Sequence, residues 1–245
     1  MIVSTEYLGV PVDGYSMRCF LAAPKSTGKY PSILFYSDIF QLTGPMVRSC
    51  IRLAGYGFVV LAPEIYHRIE LPGTVHPFDD AGRARGLEDA AKMPVAAFDR
   101  DCRGAVDYLA KLSIVAPEKK GVAGFCLGGH LAFRAAFHPD VKASVCFYGT
   151  GIHDGKLGKD ADAGSLQRAG EITGRLLIVW GSLDPHIPED ARGRIEKGLS
   201  AGGVKFSQRL YSAEHAFMRD EGPRYDPRAT DQAFNDMVDF YQATF

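Results

Sequence analysis

The chain has 245 residues, of which 46% are hydrophobic and 23% charged, and its formal net charge is -1. That length suits one large α/β domain, here expected to span 1–245, and the composition is that of an ordinary globular protein. So small a charge offers no field for nucleic acid or an anionic membrane, which removes both from the expected partners.

In chain order, two extended segments near residues 2–10 and 15–23 precede an apolar strand at 32–36 and a helix over roughly 44–54. A buried strand follows at 58–62. The stretch 63–94 is rich in Gly, Pro and charge, and its first half has no clean periodicity, so it is expected to be a long excursion over the sheet edge and near the site rather than a second domain. Residues 97–112 carry Ala105, Tyr108, Leu109 and Leu112 at helical spacing. Strand 121–125 leads into a helix at 127–138, strand 143–148 into a glycine-rich loop of weak order at 149–170. Strands at 176–181 and 206–211 and a helix at 229–241 complete the pattern. Strands alternating with helices imply a mostly parallel, doubly wound sheet with helices on both faces.

The junction Gly124-Phe125-Cys126-Leu127-Gly128-Gly129-His130 has the form of a nucleophile elbow, with cysteine where serine is usual. A sharp strand-to-helix turn leaves no room for side chains beside the nucleophile, which accounts for Gly124 and Gly128. It also aims the helix N-terminus at the sulfur, favouring negative charge there, and places the Leu127 N–H to donate to an oxyanion. A glycine-rich structural turn around a buried cysteine fits the heptapeptide equally well on its own.

On such a scaffold the acid and the histidine follow the nucleophile in that order, each just past a later strand. Asp184 ends the run Leu176-Leu177-Ile178-Val179-Trp180-Gly181-Ser182-Leu183-Asp184, and His215 follows the strand that ends at Tyr211. An imidazole exchanges a proton with sulfur near neutral pH, and a buried carboxylate fixes its tautomer. The competing assignments are a helix cap near Pro188 for Asp184 and an ordinary loop residue for His215. The other four cysteines, Cys19, Cys50, Cys102 and Cys146, fall in apolar runs and are expected in the core. With no CxxC pair and no leader visible after Met1, the expected compartment is the cytoplasm. His67, His76, His130, His138, His153 and His186 show no metal-ligand spacing, and no phosphate-loop lysine is present, so neither metal nor cofactor is expected; His186 is expected at the surface, with the pocket rim beside Asp184 as the alternative.

Taken together, Gly124 to Gly129, Gly181-Ser182-Leu183-Asp184, Glu214-His215-Ala216-Phe217, Ala62-Pro63-Glu64-Ile65-Tyr66 and Asp38-Ile39-Phe40 resemble the dienelactone hydrolases of the α/β-hydrolase superfamily, over nearly the whole chain. The resemblance implies an α/β-hydrolase fold and a triad of Cys126, Asp184 and His215. It implies an auxiliary acid at Asp38, where family members commonly carry glutamate, and a second oxyanion donor at the Ile39 N–H. Asp38 as a turn cap before the helix near Gly44 is the plainer alternative. The resemblance also implies arginines that hold a substrate carboxylate: Arg219, four residues after His215, and either Arg83 or Arg85. The expected activity is hydrolysis of small-molecule esters or enol-lactones, anionic ones included, through an acyl-Cys126 intermediate, by a monomer or small homo-oligomer. Acyl transfer or thioester hydrolysis on the same triad, and a non-catalytic ligand-binding or redox-sensing thiol, are the alternatives.

Overall fold

A two-residue turn opens the structure. Asp13 and Gly14 both take positive φ, 50° and 80°, the conformation that matches the twist of a tight hairpin. It joins β1 (Val3–Val12) to β2 (Tyr15–Pro24), with Val12 opposite Tyr15. The computed structural model describes residues 1–245 and contains β3 (Tyr30–Tyr36), α1 (Gly44–Gly55), β4 (Val59–Pro63), α2 (Asp80–Lys92), α3 (Val95–Lys111) and β5 (Val115–Phe125). There follow α4 (Leu127–Ala135), β6 (Val141–Phe147), β7 (Arg175–Gly181), α5 (Glu189–Ala201), β8 (Lys205–Tyr211) and α6 (Pro227–Gln242).

All eight strands form one sheet in the order β1-β2-β4-β3-β5-β6-β7-β8. From β4 to β8 the neighbours are parallel, while β2 pairs antiparallel with both β1 and β4. This is the expected mostly parallel sheet of an α/β hydrolase. The chain steps from β3 outward to β4, then returns past β3 to β5. Right-handed crossovers therefore put α1 on one face and α3 and α4 on the other. Packing agrees: α1 meets α6 through Arg52, 4.1 Å over the Phe234 ring, and α3 meets α4 through Asp99 and Arg134 at 2.6 Å. Reversal of direction between β3 and β5 opens a crevice at their carboxyl ends, the usual ligand position in open parallel sheets.

The central strands are apolar on both sides because both faces are covered. Ile33, Leu34 and Phe35 of β3 and Val122 and Ala123 of β5 are fully buried. Phe125 packs 4.9 Å from Phe35 and 5.2 Å from Phe147, which locks the ends of β3, β5 and β6 together beneath the crevice. Truncating such a ring to alanine costs about 3–5 kcal/mol. Cys19, Cys50, Cys102 and Cys146 are buried in this core, as expected. No helix is long and apolar enough to cross a membrane.

The excursion after β4 lies beside the crevice, where its residues 78–80, 83, 87, 90 and 91 share a wall with Cys126, and its second half is α2, capped by the Asp79 carboxylate, which accepts from Gly82 N–H at 2.7 Å. Buried polar groups hold its first half. Glu64 pairs with Arg18 and accepts from Gly73 N–H at 3.0 Å, while the Gln41 side chain accepts from Tyr66 N–H and donates to Thr74 O. The loop between β6 and β7 is likewise tied down, not weakly ordered. His130 contacts the Thr150 carbonyl at 2.9 Å and Ser165 Oγ at 2.7 Å, and Ile152 and Leu157 enter the core. Its glycines masked these anchors, which only folding brings together.

Candidate active site

Cys126 sits between β5 and α4 with φ 56° and ψ −119°. A non-glycine residue held there stores about 1–3 kcal/mol of backbone strain. The neighbours leave the chain no alternative. A Cβ on Gly124 would overlap the Gly128 carbonyl oxygen, and one on Gly128 would overlap the carbonyls of Tyr36 and Ser37 at the end of β3. Cys126 N–H donates to Phe147 O at 3.1 Å, and its own carbonyl accepts from Gly129 and Thr150. Strain and hydrogen bonds together push the thiol out of the sheet into the crevice, and of the five cysteines it alone is part-exposed.

His215 and Asp184 reach the same crevice from the ends of β8 and β7. His215 Nδ1–H donates to Asp184 Oδ2 at 2.7 Å, and both side chains are buried. An ionised carboxylate only accepts, so this bond places a proton on Nδ1 and leaves Nε2 as the nitrogen that can exchange a proton with Cys126. The second carboxylate oxygen accepts from His186 N–H at 2.8 Å. Asp184 therefore orients His215, and the helix-cap alternative is not realised, since α5 begins at Glu189 after Pro188 with no side-chain cap. Burial drives the His215 imidazolium toward deprotonation, but the charge of Cys126 and the bond to Asp184 outweigh it and raise the ring to about 10. Burial likewise works to raise Asp184, and the His215 bond outweighs it to leave the carboxyl lowered.

A cleft of about 940 Å³ contains Cys126, His215, Ile39, Leu127, Asp38 and Arg219 along its wall. The Leu127 and Ile39 N–H groups donate to no backbone or side-chain acceptor, and both residues line this cleft. Asp38 makes no hydrogen bond to Cys126. Its Oδ1 accepts from Phe40 N–H at 2.9 Å, forming a local turn, and its Oδ2 lies 3.5 Å from Arg219. The shorter acid is satisfied by its own loop and a guanidinium. Burial raises its carboxyl, with the Arg219 charge opposing. Arg219 lies over the Phe40 and Phe78 rings at 5.0 and 4.4 Å, so its charge is shared between Asp38 and two aromatic faces.

The two α2 arginines part company. Arg83 lines the cleft and has no ion-pair partner. Arg85 does not enter it. It points away, pairing with Glu70 and with Asp89 at 3.3 Å, and its assignment to substrate is corrected here. Two positions on a helix 200° apart cannot share a face, and the acidic partners claim the second. Its two carboxylate partners, together with His76, form a cluster whose ligand atoms lie within 4.8 Å of one another. Sequence reasoning undervalued His186. It is exposed, as expected, yet stands at the cleft rim with its ring 4.8 Å from that of His215 and nearly perpendicular. Its position two residues after Asp184 was the available signal.

Comparison with known proteins places this geometry in context. The model of the dienelactone hydrolase family matches residues 17–245. A candidate carboxymethylenebutenolidase of Saccharomyces cerevisiae is 37% identical over 230 residues, 90% of this chain and 84% of that one. A Bradyrhizobium protein named as a candidate 2-oxo-3-(5-oxofuran-2-ylidene)propanoate lactonase is 26% identical over 96% of this chain and 93% of its own. Among solved structures, a candidate dienelactone hydrolase from Klebsiella pneumoniae superposes with a TM-score of 0.88 over 99% of both chains, at 24% identity, a likeness of fold.

Proposed function

Because the chain belongs to the dienelactone hydrolase family, we propose that it hydrolyses small-molecule esters or enol-lactones through an acyl-Cys126 intermediate. The observation that carries this reading is the strained Cys126, presented at positive φ into one cleft with a hydrogen-bonded His215–Asp184 pair. The Cys126 thiolate attacks the carbonyl carbon, and the tetrahedral oxyanion is held by the Leu127 and Ile39 N–H groups. His215 Nε2, protonated in the thiolate–imidazolium pair, gives its proton to the leaving oxygen as the C–O bond breaks. It then takes a proton from water, which attacks the thioester carbon, and returns it to the sulfur as the acid is released. Enolates leave readily, so enol-lactones and activated esters are favoured over alkyl esters and amides. The Bradyrhizobium relative's name specifies a carboxylated enol-lactone, and the unpaired Arg83 suits an anionic substrate of that kind.

The test is turnover of an activated aryl acetate and a carboxylated enol-lactone by wild type and Cys126→Ala, with iodoacetamide labelling read by mass spectrometry. Loss of turnover by about 10³ or more in the variant, with Cys126 labelled far faster than the four buried cysteines, supports the reading. Undiminished turnover in the variant, or efficient cleavage of peptides without lactone activity, overturns it.

A further inference from the structure

At about 940 Å³, the cleft stands near the top of the roughly 300–1,000 Å³ range of small-molecule sites, and its wall takes in two groups of residues besides Cys126, one from the β7 and β8 ends and one from the loop after β6 with α2. On one side is His215, with His186 4.8 Å beyond it and the charges of Arg83 and Arg224 acting on the His186 ring. A leaving oxygen must face His215 to take its proton, so this cationic mouth is the leaving-group side. On the other side Thr150 N–H donates to Cys126 O at 3.3 Å, and the wall continues through His153, Asp154 and Lys156 to the buried Leu157, so its apolar surface comes chiefly from α2. Acyl substituents of a bound ester lie in this second arm.

One stripe of α2 closes that arm. Arg83, Leu87, Ala90 and Ala91 line the cleft at intervals of three and four residues, a single helical face whose character changes from guanidinium at the mouth to apolar within. Leu87 is 50% exposed on this wall, so its side chain is open to a ligand in the cleft. The far end is fixed, because Lys159 N–H donates to Met93 O at 2.9 Å and Val95 N–H to Asp160 Oδ2 at 2.7 Å. From Leu87 to Ala91 the helix rises about 6 Å, the reach of about five extended methylenes.

We propose that this arm is an acyl-chain subsite, so that the preferred substrates are esters or lactones whose acyl part carries an unbranched apolar chain of medium length, laid between the Leu87–Ala91 stripe and Leu157. The inference rests on the hydrolase reading above. Each buried methylene then favours the transition state by about two- to fourfold until the stripe is filled.

The experiment measures kcat/KM for 4-nitrophenyl acetate, butanoate, hexanoate and decanoate with wild type, Ala91→Trp, Leu87→Ser and Ala81→Trp. Ala81 is exposed on the other side of α2 and does not line the cleft, so its variant controls for a bulky substitution in the same helix. The expected result is a rise of at least tenfold from acetate to hexanoate in wild type and a plateau after it. That ratio falls about tenfold in Ala91→Trp, falls in Leu87→Ser, and is kept in Ala81→Trp. Turnover of acetate with a flat or falling chain-length response, or a ratio unchanged in Ala91→Trp, overturns the subsite and leaves the hydrolase reading standing. No turnover of any ester and no acyl-Cys126 adduct overturns both.

Discussion

Replacing Asp184 by Asn removes one negative charge from a buried 2.7 Å hydrogen bond while preserving shape. A charge-assisted bond of this kind contributes about 1.5–3 kcal/mol, a factor of about 10 to 150 in rate if it strengthens when the imidazolium forms. The amide has a second effect. Its NH₂ can donate to Nδ1, which turns the ring to the tautomer with the proton on Nε2, useless as a base toward Cys126; in serine proteases that inversion costs about 10⁴. The expected fall in kcat/KM for an activated ester is therefore about 10²–10⁴, with little change in KM. The same substitution alters stability with a definite sign. His215 is raised from 6.5 to about 10, so its imidazolium stabilises the fold fully below pH 6.5 and this contribution fades as pH rises toward 10. Asp184 is lowered below its ordinary 3.8, so its contribution is present above that pH and is lost on acidification. Urea denaturation should show the largest wild-type advantage near pH 5–6 and little near pH 10. A folded Asp184→Asn protein with activity within threefold of wild type, or a stability difference that grows with pH, would refute the argument.

Cys126→Gly relieves the positive φ and is expected to raise the melting temperature by about 2–4 °C, the equivalent of about 1 kcal/mol, while abolishing ester turnover; calorimetry showing destabilisation would mean that the turn is not strained. Arg219→Met leaves the Asp38 carboxylate buried without its cation. Asp38 is already raised by burial, a condition that costs stability as pH climbs through the interval between its ordinary and its raised value, so the variant loses more at pH 8 than at pH 4, read by chemical denaturation at both. Arg83→Ala should lower kcat/KM for a carboxylated lactone about tenfold or more relative to a neutral ester, whereas Arg85→Ala should leave that ratio unaltered; equal effects of the two would contradict their opposite placement on α2.

The candidate triad was legible because each of its proposed members stands at a strand end that local pattern identifies. Apolar runs mark β5, β7 and β8, glycines mark the turn after β5, and parallel topology brings the carboxyl ends of those strands to one edge. The elbow, the strand-end positions and the order of Cys126, Asp184 and His215 therefore single them out together, as the family resemblance also implies. What local pattern did not reveal were the groups whose direction depends on partners far along the chain. The β6–β7 loop appeared loose because its anchors, His130 to Thr150 and Ser165, join it to a different helix.

Periodicity, turn chemistry and strand order are properties of contiguous residues, so the sequence by itself determined the doubly wound architecture, the elbow at Cys126 and the order of the three candidate catalytic groups. Tertiary packing decided the rest. Asp38 and Arg219 stand 181 residues apart, and only the folded chain reveals that they neutralise one another between Phe40 and Phe78. The choice between Arg83 and Arg85 turned on the rotational phase of α2, set by which face its neighbours bury. The breadth of the cleft depends on how closely α2 and the 149–170 loop approach, a separation between elements remote in sequence that no window of residues encodes.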